Sequence, residues 1–174
     1  GFLRGRQMIN NLIDIDFQAM TISLKSEKGA LVLFDFQAAF PSVSHAFLKN
    51  SLQLIGFPPH ALSFIDSIYD QNHCNISFQG TRYEGFGMFR GVRQGCPLSP
   101  LLFAAAVDVL LRRLQQKIPQ CHLRAVADDI GAVFPNWPSD NHIACRIFQQ
   151  FATMSGLDLN VRKTVVIPLW RNGV

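Results

Sequence analysis

Asp35, Asp128 and Asp129 are the residues of this 174-residue sequence best placed to do chemistry. Asp35 ends the continuous apolar run ALVLF at 30–34, and the Asp128–Asp129 pair interrupts LRAVADDIGAVF at 123–134. A carboxylate at the end of a buried strand is disfavoured unless it is solvated, paired or bound to a cation. Two of them on neighbouring strands would make a hard oxygen site suited to Mg²⁺. A pair of such ions, about 3.5–4 Å apart, could activate a 3′-hydroxyl and stabilise a leaving pyrophosphate. An Asp at a strand end or hairpin turn also caps backbone groups, so the doublet alone leaves both readings open.

The elements that must position these carboxylates are legible in the hydrophobic pattern. Ile9, Ile13, Phe17, Met20 and Leu24 recur at three- and four-residue steps, predicting a helix over 6–27 that is closed by Gly29. The run 30–34 reads as a short strand buried on both faces. A second helix is expected near 43–55, ended by Gly56 and Pro58-Pro59, and a short third over 60–71. Residues 74–90 hold two strand-like stretches about Gln79-Gly80, a hairpin signature. Ser99 as N-cap and Pro100 as first helical residue open a helix through Lys117. The two apolar runs of 123–134 would place Asp128-Asp129 at a tight hairpin turn. Ile143, Ile147, Phe151 and Met154 mark a helix over 140–155 stopped by Gly156, and 157–169 reads as largely extended. Helices mixed with mostly non-parallel strands imply an α+β fold, a sheet covered by helices on one face.

Composition narrows the class further. An apolar fraction of 48% with 16% charged residues describes a globular domain, not a disordered chain. The net charge of +4 suits a polyanionic partner without identifying one. Cys74, Cys96, Cys121 and Cys145 form no C-x-x-C pair, so a reducing interior compartment, nucleus or cytoplasm, is expected. The longest apolar stretch, around Leu101 to Leu111 and broken by Asp108, is too short to span a bilayer; no membrane role is expected. His45, His60, His73, His122 and His142 show no metal-ligand spacing, and no chemical role is assigned to them. The chain opens at Gly1 without a methionine and is expected to be a fragment of a longer reading frame.

Five segments, in order, carry a resemblance. FDFQAAFPSVSH at 34–45, GVRQGCPLSPLLF at 91–103, AVADDIGAVF at 125–134 and GLDLNVRKT at 156–164 resemble the successive palm motifs of reverse transcriptases. GFLRGRQ at 1–7 is similar to the segment that precedes a fingers helix in that family. The sequence is thus similar to the reverse transcriptase domain of non-LTR, LINE-like retrotransposons over nearly its whole length. That resemblance implies a polymerase palm with partial fingers. Residues 1–29 would be partial fingers, and 30–174 would be palm with a fingers insertion near 60–95. The implied activity is RNA-directed DNA synthesis with two Mg²⁺ ions (Mn²⁺ as an alternative), an RNA template, a DNA primer and deoxynucleoside triphosphates.

Roles carry over residue by residue. Asp35 and Asp128, with the backbone carbonyl of Phe36, would be the metal ligands, and Asp129 a third carboxylate nearer the primer end. Phe36, Phe40, Arg93, Gln94 and Gly95 would line the nucleotide pocket. Phe40 stands at the family's steric-gate position, where an aromatic ring crowds the sugar 2′ position. Gln94 offers a donor and an acceptor, and Gly95 allows close backbone approach. Arg93 would reach phosphate or template, or pair with a surface carboxylate. Lys163 matches the lysine proposed to protonate pyrophosphate, a general-acid role.

Two positions depart from the pattern. Val126 stands where the family usually has an aromatic, and Pro41 where LINE-like members often have Asp. The fingers strand that contacts triphosphate is expected before Gly1 and the primer grip and thumb after Val174, so residues 1–174 alone are expected to polymerise little. The competing readings are a degenerate, non-catalytic nucleic-acid-binding module, a group II intron-like maturase, and an RNA-dependent RNA polymerase. Asp35, Asp128, Asp129 and Gln94 speak against the first, and Phe40 with RQGCPLSP against the last.

Overall fold

A computed structural model describes residue 5 and residues 7–170. The opening segment GFLRGRQ therefore lies largely outside the described residues. Helix α1 spans Met8–Lys25, strand β1 Ala30–Phe34, the single turn α2 Ala39–Ser42, α3 His45–Ile55 and α4 Pro59–Tyr69. Strands β2 (His73–Phe78) and β3 (Thr81–Gly87) form a separate two-stranded sheet. Helix α5 (Ser99–Lys117), β4 (His122–Val126), β5 (Asp129–Phe134), α6 (Trp137–Ser155) and β6 (Val165–Pro168) complete the chain.

The main sheet has the order β4-β5-β1-β6, with every described pairing antiparallel. β1 is interior because its alternate residues Ala30, Val32 and Phe34 are all buried. They meet α5 through Leu102, Phe103, Ala106 and Leu110, and α6 through Ala144, Ile147 and Phe148. Phe34 lies against Phe148 at 4.5 Å between ring centroids. Each such fully buried Leu or Phe contributes about 1.5–3 kcal/mol of transfer free energy. The other face of β1 is covered at Leu31 by α1, whereas Leu33 stays 42% exposed, so the strand is not enclosed on both faces as its composition implied.

Helix α1 forms as expected but turns a different face to the sheet. It docks through Ile15, Ala19 and Ile22 onto Val133 and Leu31. Ile9, Ile13, Phe17, Met20 and Leu24 are all more than half exposed. Polar ties set this docking angle. The Asn11 amide donates to the Ala125 carbonyl at 3.1 Å, and Asp14 pairs with His122 at 2.8 Å and Arg124 at 2.5 Å. Three- and four-residue periodicity cannot register such ties, because they join residues more than 100 positions apart.

Two further boundaries differ. The helix expected over 43–55 is α3, which starts two residues later because Ser44 caps it, its side chain accepting the Phe47 N–H, and the single turn α2 at Ala39–Ser42 precedes it without having been expected. Ser99 is the first residue of α5 rather than its cap, because Leu98 already has helical angles and Ser99 N–H donates to the Cys96 carbonyl. The Ser99 hydroxyl is buried without a hydrogen-bond partner. At the β2–β3 hairpin Gln79 and Gly80 both take positive φ, the geometry of a type I′ turn. All four cysteines are unpaired thiols. No described helix is long and apolar enough to cross a membrane.

Candidate active site

The β4–β5 hairpin is the first component. Val126 pairs with Asp129, leaving Ala127 and Asp128 as the two central turn residues. Ala127 has φ +53°, a region that glycine enters freely and alanine does at a cost of about 1–2 kcal/mol. Asp128 is half-buried and Asp129, the first residue of β5, is exposed. A single positive φ at the first central position is the sign pattern of a type II′ turn, which follows the right-handed twist of its strands.

Asp35 is the second component. Phe34 lies opposite Ile130, so one more step along the antiparallel register sets Asp35 across from Asp129 and beside the turn. One carboxylate oxygen of Asp35, Oδ2, is buried with no hydrogen-bond partner. A buried anionic oxygen without a donor is costly unless a cation or another partner compensates it. Phe36 is buried against Phe148 and Phe151 and bridges Leu159 in antiparallel fashion. The bonds flanking that bridge run from Gln37 N–H to the Asp158 carbonyl, 2.8 Å, and from Asn160 N–H to the Asp35 carbonyl, 2.7 Å. In this pattern the Phe36 carbonyl points away from the 158–160 segment, toward the side of β1 that carries the hairpin. Among the described residues no three His, Cys, Asp or Glu side chains gather as a metal cluster. The oxygen groups at this corner of the sheet are the carboxylates of Asp35, Asp128 and the exposed Asp129, and the Phe36 carbonyl.

The loop from Arg90 to Leu98 is the third component. Val92 N–H donates to the Phe40 carbonyl at 2.8 Å and Gly91 N–H to the Val43 carbonyl at 2.7 Å. These bonds bring Phe40 and the 92–96 loop together. Phe40 is partly buried and stacks on Phe103 of α5, 4.7 Å between centroids at 16°. Gln94 and Gly95 are exposed; Gly95 has φ +84° with nothing within 4 Å of an added Cβ, so its turn, not crowding, requires glycine. The Arg93 guanidinium donates to Asn72 Oδ1. The Cys96 thiol is held below its ordinary range chiefly by the Leu98 backbone N–H, with help from Ser99 and Arg93 against the opposing effect of burial.

Lys163 lies on the turn at 161–163 with its side chain exposed. Its N–H donates to the Asn160 carbonyl at 3.1 Å. The same turn is tied to Asp35 twice, through Asn160 N–H and through Thr164 Oγ1, which accepts the Asp35 N–H at 3.5 Å. The turn bearing Lys163 is therefore fastened to the backbone of Asp35.

Sequence reasoning overlooked several contributors. His122 and Arg124 of β4 hold Asp14, whose carboxyl is lowered first by the His122 hydrogen bond. His45 contacts the Gly91 carbonyl. Gly91 and Gly156 were legible as the first residues of their motifs, and Gly156 as a helix stop, but not the close backbone approach that each permits. A Cβ on Gly91 would lie 2.6 Å from the Pro41 carbonyl oxygen, and one on Gly156 2.5 Å from that of Ser42. A groove of about 1090 Å³ between α5 and α6, lined by Leu110, Phe151 and Met154, contains none of the carboxylates. A smaller cavity of about 260 Å³ adjoins the hairpin at Val126 and Asp129.

Comparison with known proteins gives the same frame. Residues 1–169 match the family described as reverse transcriptase (RNA-dependent DNA polymerase). The Pol polyprotein of the type-2 retrotransposable element R2DM of Drosophila melanogaster is 30% identical over 139 residues, covering 76% of this chain and 13% of that protein. A Pol polyprotein of the type-1 element R2 of Popillia japonica is 30% identical over 159 residues, covering 82% of this chain and 21% of that protein. The chain thus spans a small part of the length of these relatives. Among solved structures, apo telomerase from Candida Tropicalis superposes with a TM-score of 0.70 at 15% identity, over 91% of this chain and 32% of that one.

Proposed function

Because this chain belongs to the reverse transcriptase (RNA-dependent DNA polymerase) family and has the polymerase palm fold, we propose that it is the catalytic palm, with part of the fingers, of an enzyme extending a primer 3′ end on an RNA template. In this reading residues 1–29 and the region near 60–95 are the fingers portions. The observation that carries the proposal is the orphaned Oδ2 of Asp35, at the end of a buried strand beside an Asp-Asp hairpin. Asp35, Asp128 and the Phe36 carbonyl fit a hard divalent cation, as oxygen donors with one buried lone-pair site unfilled. Bound there, two Mg²⁺ ions would supply an activated 3′-hydroxyl and charge neutralisation on the leaving pyrophosphate.

The chain's own residues do the rest. Phe40, braced by Phe103, crowds the sugar 2′ position and excludes a 2′-hydroxyl. Gln94 and Gly95 contact the incoming nucleotide from the exposed loop, and Asp129 lies toward the primer end. Lys163, carried on the turn fastened to Asp35, donates a proton to departing pyrophosphate. The partners are an RNA template, a DNA primer and deoxynucleoside triphosphates.

The test is primer extension by the full-length protein that carries this chain. Asp128→Ala is expected to lower the rate at least about 10²-fold, the scale of a misplaced reacting group, with unchanged circular dichroism. Extension by Asp128→Ala at the wild-type rate would remove the hairpin from the chemistry.

A further inference from the structure

We propose that His45 is a positioning residue for the nucleotide pocket, fixing the Gly91–Val92 peptide plane and through it the 92–96 loop against Phe40. The proposal rests on the polymerase reading above and deepens it.

His45 is the first residue of α3, and its Nε2–H donates to the Gly91 carbonyl at 2.8 Å. The Gly91 carbonyl and the Val92 N–H are two ends of one planar peptide unit. Val92 N–H donates to the Phe40 carbonyl at 2.8 Å. One peptide plane is therefore held at both ends, by His45 on one side and by Phe40 on the other.

The need for two holds follows from the residue before the plane. Gly91 has φ +89° and no Cβ, so this peptide can rotate more freely than any following another residue type. Rotation would break the Val92–Phe40 bond and release the loop that carries Gln94 and Gly95. Gly91 and Val92 are buried, so a carbonyl that lost its donor would have no ready water. The imidazole is itself held, 4.9 Å from the ring of Tyr69 at the end of α4. With Nε2 committed to a carbonyl, His45 serves through that atom neither as metal ligand nor as proton donor to substrate.

Two substitutions separate the donor from the ring. His45→Phe keeps an aromatic against Tyr69 and removes the donor; His45→Gln restores an N–H donor at similar reach. In steady-state extension by the full-length protein, His45→Phe is expected to raise the deoxynucleotide KM about tenfold with a smaller effect on kcat, matching the loss of one buried hydrogen bond. It should also weaken discrimination against ribonucleotides. His45→Gln should recover most of both effects. A second readout on the same proteins needs no catalysis: backbone amide exchange of the peptide spanning 90–97 should quicken in His45→Phe and stay near wild type in His45→Gln.

Wild-type protein that extends primers while His45→Phe keeps the wild-type KM and discrimination would overturn the positioning role and leave the polymerase reading intact. Wild-type protein that makes no DNA would sink the polymerase reading, and exchange at 90–97 would still decide whether His45 holds the loop. Equal protection in wild type and His45→Phe would overturn the proposal on its own.

Discussion

Gly91→Ala tests whether the Phe40 turn and the 92–96 loop are truly in van der Waals register. Three glycines share nearly the same φ: Gly80 at +80°, Gly95 at +84° and Gly91 at +89°. A Cβ on Gly80 or Gly95 meets nothing within 4 Å. Those two substitutions therefore report backbone strain alone, about 1–2 kcal/mol. On Gly91 the same Cβ falls 2.6, 2.7 and 2.8 Å from the carbonyl oxygen, Cα and carbonyl carbon of Pro41. Those are backbone atoms of α2, so relief requires moving the turn next to Phe40, and overpacking of this kind adds about 1–3 kcal/mol. The expected order is Gly80→Ala and Gly95→Ala alike, with Gly91→Ala costing about 2–5 kcal/mol in all. Urea unfolding followed by circular dichroism, with a common slope for the four proteins, measures it. A Gly91→Ala cost equal to that of Gly80→Ala would refute the reasoning, since the loop would then have room to shift away from Pro41.

Three other outcomes follow from particular groups. Burial raises the Asp140 carboxyl above its ordinary range, against the Gln120 hydrogen bond and His142, so its ionised form is disfavoured in the folded state. Stability tied to this group is retained while it is protonated and is lost as pH rises through its raised folded value; Asp140→Asn should equal wild type near pH 4 and exceed it at pH 7 in thermal unfolding. Iodoacetamide should modify Cys96 at lower pH than Cys121, which is pushed up to about 12 chiefly by burial and stays unreacted in the folded chain; mass spectrometry showing Cys121 labelled first would contradict both assignments. Phe40→Ala should raise ribonucleotide incorporation relative to deoxynucleotide in single-nucleotide extension, and unchanged discrimination would make Phe40 a core residue braced by Phe103 and nothing more.

What the sequence disclosed were features written in neighbouring residues. An apolar run ending in Asp35, two such runs around Asp128-Asp129, and glycine stops after α3 and α6 all follow from local propensity, and the elements formed where expected. Two apolar runs that each end in Asp suggested neighbouring strands, and β1 does pair with β5 of the hairpin. Less visible was anything decided between distant segments. The exposed stripe of α1 obeys helical periodicity, yet Asn11 and Asp14 choose the docked face by reaching β4. Ser99 has a cap residue's chemistry, but the Cys96 turn starts the helix one residue early. His45 reads as a solitary imidazole until Gly91 is brought to it across 46 positions.

The central place of β1 has a consequence in time. Its two edges pair with β5 and β6, and roughly 95 residues separate Phe34 from Asp129, so at about 5–20 residues per second a ribosome needs about 5–20 s to deliver the first partner. During that interval an ALVLF strand with both ladders open would be on offer to any other nascent chain, the hazard that edge strands pose in general. The α3–α4 pair and the β2–β3 hairpin close over short loops and can form within the wait. Synthesis of this protein is therefore expected to be sensitive to elongation rate between β1 and β5: slow codons there would lengthen the exposure, whereas pauses after β6 would come too late to matter.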